Sequence, residues 1–317
     1  MKRIRTVKAL CAALFIFILV TFSSACMNTL PADDITHIVT TIFPAYDLAK
    51  QVAGDRCAVT MLLPPGTESH TFEPTPADMQ KIRSCDLFIY NGGESDTWVD
   101  GILASLGRDI PTLRMTGAVE TLEEELPEGA FPSNEEDEGE DEYDEHVWTA
   151  PMNADAIAKS ICEKLAKIDP ANSEIYKKNY ERLHEELVTL DRDFTDFFGK
   201  MQNPVMVFGD RFPLRYFAEA YGVKCYAAFP GCASETEPSA ATMAFLINKV
   251  RELDIHTVYC IEFSNHSIAE AIAEATGAKV REFHSCHNVS RAELESGITY
   301  VSLMRRNLDT LKASELS

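Results

Sequence analysis

The chain has 317 residues, 45% hydrophobic and 25% charged, which suits a soluble globular protein of one large or two medium domains. Its formal net charge of -21 argues against nucleic acid as a partner: a polyphosphate is repelled unless a separate basic face exists, and no Lys/Arg cluster lies beyond the first eight residues.

The chain opens "MKRIRTVKALCAALFIFILVTFSSAC". A basic start, an apolar run from Ala9 to Phe22 and the small residues Ser23, Ser24 and Ala25 predict a secretory signal peptide over residues 1–25. Cys26 follows directly, as at the acylated cysteine of a bacterial lipobox. Lipidation there anchors the protein to the outer face of the plasma membrane, or in the periplasm, without a spanning helix. No later segment is long and apolar enough to span a bilayer. Of nine cysteines, Cys11 leaves with the leader and Cys26 carries the lipid, so seven remain, an odd number outside the cytosol. Cys260 ends a predicted strand and Cys286 follows another, so this pair is a candidate bridge, and the sequence does not fix the pairing. No CxxC spacing supports a structural zinc finger.

From residue 37, "HIVTTIFP" reads as a buried strand, and "AYDLAKQVAG" as a helix stopped by Gly54. "CAVTMLLPPG" is a second strand, running into the loop that carries His70. "TPADMQKIRSC" starts a helix with Thr75 as N-cap and Pro76 at its first position. "DLFIYNGG" is a third strand and "TWVDGILASLG" a helix. An acidic insertion follows over residues 123–145; nine of the eleven residues from Glu135 to Glu145 are acidic, so it is expected to be a solvated loop. Order returns at "HVWTAPMNA".

After one more helix, "PANSEIYKKNYERLHEELVTLDRDFTDFFGKM" places Tyr176, Tyr180, Leu183, Leu187, Leu190, Phe194 and Phe197 on one face of a long amphipathic helix. The strands "PVMVFGD", "VKCYAAFPG", "IHTVYCIEF" and "AKVREFH" then alternate with helices. The pattern predicts an α/β fold of two lobes, each with a mostly parallel sheet flanked by helices, joined by one long backbone helix. The expected boundaries are 26–168, 169–201 for the linking helix, and 202–317.

In open parallel sheets ligands bind beyond the C-terminal ends of strands. His70 lies past "CAVTMLL", in a loop stiffened by Pro64, Pro65, Pro74 and Pro76. His146 ends the acidic run, Asp210 follows "PVMVFG", Glu262 lies near the end of "TVYCIEF", and His284 ends "KVREF". These groups converge if the lobes face each other. His284 and His287 flank Cys286 in "HSCH", a ligand pair or an ordinary loop. His37, His184 and His256 read as solvated, and His266 as a helix cap. Imidazole with carboxylate suits zinc, manganese or iron, whereas copper(I) asks for Met and Cys. A closed site holds an ion without chemistry; a catalytic zinc needs an open water position and a base.

These residues carry a resemblance over nearly the whole mature chain. "LLPPGTESHTFEPTPADMQKIRSCDLFIYNGG", "DEHVWTAPMNA", "YFAEAYG", "ETEPSAATM", "SIAEAIAEATGAKV" and "YVSLMRRNLDTL" resemble the zinc/manganese substrate-binding lipoproteins of bacterial ABC transporters. The resemblance implies metal ligation by His70 and His146 in the cleft between the lobes. It also implies a His or Glu near Arg211 and a carboxylate after the last strand. An Arg cannot ligate a metal, so Asp210 substitutes in this reading, and His284 stands in the carboxylate's place. The expected ligands are therefore His70, His146, His284 and Asp210, with Glu262, His287 and Glu235 in reserve and Cys232 and Glu237 near the rim. The function implied is capture of zinc, or alternatively manganese, by a monomer that delivers it to a membrane permease, with no catalysis. An exported metallohydrolase with Glu262 or Glu68 as base lacks any H-E-x-x-H motif. A surface adhesin is the remaining rival.

Overall fold

The computed structural model describes residues 35–68, 70–129, 143–231 and 237–315. The signal peptide, Cys26, Cys232, Glu235 and most of the acidic run lie outside the described residues. From Thr36 onward the described residues form one compact unit.

Two four-stranded sheets are present among the described residues, and the pairings within both are parallel. The first has the order β2-β1-β3-β4, with β1 Thr36–Thr40, β2 Cys57–Met61, β3 Leu87–Tyr90 and β4 Thr112–Arg114. Its crossovers are α1 (Phe43–Ala53), α2 (Pro76–Ser84) and α3 (Trp98–Ser105). Next come α4 (Pro151–Ile168) and α5 (Ser173–Phe198). The second sheet has the order β6-β5-β7-β8, with β5 Val205–Phe212, β6 Lys224–Pro230, β7 Thr257–Cys260 and β8 Lys279–Glu282. It carries α6 (Arg215–Tyr221), α7 (Ala240–Glu252) and α8 (Ser267–Thr276), and the chain ends with α9 (Arg291–Ser296) and α10 (Tyr300–Glu315). This is the α/β alternation expected. The edge strand β4, three residues long, and the short α9 are too brief to leave a periodic signal, and the sequence reading lacks both.

α5 forms because its apolar residues recur every three or four positions, burying Tyr176, Leu183, Leu187, Leu190, Phe194 and Phe197 on one face. Its 26 residues span about 39 Å at ~1.5 Å per residue. The N-terminal turns hold the first sheet's layer, where Asn179 Nδ2 donates to Val52 O at 3.0 Å. The C-terminal turns hold the second, where Phe194 meets Phe217 edge-on at 5.1 Å and Tyr221 donates to Asp191 at 2.9 Å. One hydrophobic core therefore runs through both halves. Asp47 of α1 adds a polar tie: its carboxylate accepts from the Tyr300 backbone N–H at the start of α10, at 2.8 Å. Burial pushes the Asp47 carboxyl up to about 6.

β5 differs from expectation in running past Asp210 to Phe212, through a register shift between Phe208 and Arg211. Gly209 sits at this shift because any Cβ there would collide with the Ala269 backbone of α8. The irregularity places Asp210 and Arg211 on opposite duties, with consequences for the site.

Candidate metal centre

His70 sits in the loop between β2 and α2. Thr67 folds the start of this loop by donating to Pro64 O at 2.6 Å. Its end is fixed by a capping box, in which Thr75 and Asp78 bond each other's backbone N–H at the start of α2. The imidazole Nδ1 lies 2.9 Å from Ser95 Oγ and 3.4 Å from Glu145 Oε1, and Ser95 Oγ also bonds Glu145. His146 precedes a 3-10 turn, Val147–Thr149, and is fully buried. Its Nδ1 lies 3.1 Å from Asp144 Oδ1, which also accepts the His146 backbone N–H at 2.7 Å. An Nδ1–H donated to a carboxylate fixes the tautomer and leaves Nε2 as a lone pair. His146 Nε2 is buried and has no hydrogen-bond partner among the described residues.

The second half supplies His287 from the loop after β8. Glu262 organises that loop: its carboxylate accepts from Ser285 N at 2.7 Å, Ser285 Oγ at 2.7 Å and His287 N at 3.2 Å. Cys286 adopts the left-handed region at φ 64°, so the chain reverses between His284 and His287. The loop is stitched to the His70 loop. Asn288 Nδ2 donates to Pro64 O and Thr67 O, each at 2.9 Å, and Gly66 N donates to Val289 O at 2.9 Å.

The result is a cluster of three imidazoles, His70, His146 and His287, whose candidate donor nitrogens lie within 4.8 Å of one another. Ring centroids are 5.6 Å apart for His70–His146, 5.2 Å for His70–His287 and 5.5 Å for His146–His287. Trp148 walls the cluster at 4.9 Å from His287, held by its indole N–H on Ser285 O at 2.9 Å. Burial and the His146 charge push the His70 imidazole down to about 3, with Arg211 adding to the shift. Burial, then His70, His146 and Arg211, hold His287 well below its usual value. His146 moves the other way: burial disfavours its charge, but Asp144, with Glu145, more than offsets this and raises it. At neutral pH His70 and His287 thus offer neutral nitrogens, the state a transition metal needs, whereas Asp144 strengthens the hold of His146 on its proton, which an incoming metal displaces.

The structure brings His70, His146 and the reserve candidate His287 together, and leaves His284 and Asp210 out of the cluster. His284 is buried, but its ring turns back on its own loop, where Nδ1 accepts from Cys286 N at 2.9 Å; its backbone is clamped by Asn307 on both N–H and C=O. The two oxygens of Asp210 accept from Arg211 N at 2.8 Å and Ile261 N at 3.1 Å, joining β5 to the end of β7. Glu262 is likewise engaged with its loop. Cys260 and Cys286 are both free and buried, so the candidate bridge is not formed. Their thiols face the carbonyls of Arg281 and His284, and burial pushes both upward, the direction of an inert thiol. His184 is paired with Asp155 at 2.9 Å, not merely solvated. Asp144 and Glu145 read from the sequence as part of a solvated charge run; in the structure both are buried. The signal lay in their position directly before His146.

Two parallel sheets meeting at a cluster of imidazoles give the architecture of a solute-binding protein with a candidate metal site. The chain belongs to the ZnuA family, described as zinc-uptake complex component A, periplasmic, whose model matches residues 38–314. It is 31% identical to the zinc-binding lipoprotein AdcA of Streptococcus pneumoniae over 98% of this chain, and spans 61% of that relative's length. It is 32% identical to the high-affinity zinc uptake system protein ZnuA of Bacillus subtilis, over 89% of this chain and 88% of that one. Its fold matches the Zn(II)-bound ZnuA-like domain of the pneumococcal AdcA with a TM-score of 0.73 at 29% identity, covering 88% of this chain and 98% of that domain. A laminin-binding protein of Streptococcus agalactiae, described as having adhesin and metal-transporting activity, matches with a TM-score of 0.74 at 25% identity, over 88% of this chain and 99% of that one. The family is an uptake component rather than an enzyme, which sets aside the metallohydrolase reading. Among the described residues no helix is long and apolar enough to cross a membrane.

Proposed function

We propose that this protein captures zinc outside the cytoplasm, through His70, His146 and His287, and delivers it to the membrane permease of an ABC transporter. The observation that carries the reading is the cluster itself: three imidazoles with donor nitrogens within 4.8 Å, two of them backed by carboxylates on Nδ1. An all-nitrogen set favours zinc over manganese, which prefers carboxylate and water. The family and the zinc-binding relatives support the same ion.

The ion exchanges its water shell for imidazoles drawn from both halves, so binding joins the lobes 26–168 and 202–317. The linking helix, residues 169–201, ties their cores together and keeps that movement small. A lipid on Cys26 tethers a monomer beside its permease. Titration of the mature, chelator-stripped protein with zinc and with manganese tests this. One tight zinc site, weaker manganese binding and loss of the site in His70→Ala are expected. Zinc binding no tighter than micromolar, or a His70→Ala variant that binds as well as the parent, would sink the reading.

A further inference from the structure

Resting on that reading, we propose that Arg211 holds a small anion, a carboxylate or a comparable monoanion, as the fourth ligand of the bound metal. The three imidazoles bring no charge and leave a tetrahedral ion one ligand short. Among the described residues, the other carboxylates near the cluster are engaged elsewhere. Asp210 and Glu262 accept backbone N–H groups, and Asp144 and Glu145 lie on the Nδ1 side of the histidines. None of these four belongs to the donor cluster.

Arg211, at the irregular end of β5, lines one pocket with His70 and His287. A guanidinium cannot coordinate a metal, but its planar fork is the side chain best matched to a carboxylate. The pocket has about 30 Å³ of free volume, room for a water or a carboxylate head, and Thr67, Ser285 and Asn288 also line it. Glu68 meets the guanidinium at 2.5 Å from the His70 loop. The Arg211 and Glu68 side chains are 22% and 40% exposed, so an incoming anion can compete with this pair without opening the core. In this arrangement Glu68 is the resident occupant of an anion seat, and the cargo is a metal with its counter-ion.

The test uses the mature, chelator-stripped protein loaded with cobalt(II), whose visible bands report the ligand set, and titrated with acetate and with azide. In the parent protein the bands are expected to shift saturably with either anion. Arg211→Gln should weaken that anion affinity by about tenfold, and Glu68→Gln should strengthen it severalfold, because the competing carboxylate is gone. A four-coordinate cobalt spectrum unmoved by either anion would overturn the proposal, since a protein side chain, Glu68 included, would then close the site. Equal anion affinity in Arg211→Gln and the parent would overturn it too, showing an anion held by the metal alone. If cobalt does not bind stoichiometrically at all, the metal-capture reading falls with it.

Discussion

The two halves of the molecule bring different resources to the centre. The first half supplies two imidazoles, and behind the Nδ1 of each stands a buried carboxylate, Glu145 for His70 and Asp144 for His146. The second half has two buried carboxylates of its own, Asp210 and Glu262, yet both are engaged by N–H and hydroxyl donors of their own sheet and loop. It contributes one imidazole, His287, on a turn that Glu262 shapes. A carboxylate at the C-terminal end of a strand is therefore not a ligand by position alone. Which groups its oxygens already accept from decides what it is for.

Exchanging the two histidines of the second half breaks this comparison most sharply. His287→Ala is expected to weaken zinc binding by more than the roughly 10–100-fold that loss of an orienting partner costs. His284→Ala, which removes a ring folded onto its own loop, should leave zinc affinity close to that of the parent in calorimetry. The opposite ranking would mean that the loop reverses on binding.

The carboxylates come next. Asp144→Asn keeps the shape but weakens the hold on His146 Nδ1, and should lower zinc affinity by about 10–100-fold with little change in melting temperature. Glu262→Gln should do the reverse. It removes the charge that three loop donors share, so unfolding of the metal-free protein should become easier by about 1.5–3 kcal/mol. Denaturant melts and zinc titrations on the same two variants separate the roles. If Glu262→Gln loses affinity and keeps its stability, Glu262 is a ligand.

The pH dependence should follow one histidine, not three. His70, near 3, and His287, well below 6.5, already lack their protons at neutral pH, whereas His146 is raised above 6.5 by Asp144. Zinc must displace the His146 proton, so affinity should climb about tenfold per pH unit up to the raised His146 value and then level off. Three ordinary imidazoles would instead release up to three protons below about 6.5. Metal-free stability carries the matching signs. The contribution of the two depressed groups is complete above about 6.5 and is lost as pH falls toward 3. That of His146 is complete below 6.5 and fades as pH rises through its raised value. Proton release measured by calorimetry in two buffers checks the count, and a slope of three would refute it.

Much of this was legible in the residue pattern. The alternation of apolar runs and helical periods predicts two parallel sheets, and the long apolar stripe from Tyr176 to Phe197 predicts α5. His70 and His146 announce themselves through a proline-stiffened loop and the "DEHVW" context. The second half is less legible because its signal is tertiary. "HSCH" offers two histidines with equal local claims, and only the positive φ of Cys286 and the three bonds to Glu262 decide which ring faces the centre. Asp144 and Glu145 were hidden by composition: nine acidic residues in eleven read as solvent-exposed, and nothing local says that the last two are buried. Cys260 and Cys286 fall near strand ends at plausible spacing, but both thiols are free, each facing a backbone carbonyl.

The smallest expected effect concerns a feature that the halves share. Each site loop runs into a helix closed by a capping box: Thr75 with Asp78 after the His70 loop, and Ser290 with Glu293 after the His287 loop. Thr75→Ala and Ser290→Ala should each cost about 0.5–2 kcal/mol of stability, the usual loss for an N-cap. The caps sit on different helices, so if they act independently the double variant should lose the sum of the two to within about 0.5 kcal/mol. The alternative has a structural basis, because Asn288 and Gly66 bond the two loops to each other upstream of both caps. A double variant that loses clearly more than the sum would show that the loops melt as one unit, joined across the cleft even before metal arrives. Additivity, with zinc affinity changed less than in Asp144→Asn, would show instead that each half builds its own loop and that the metal does the joining.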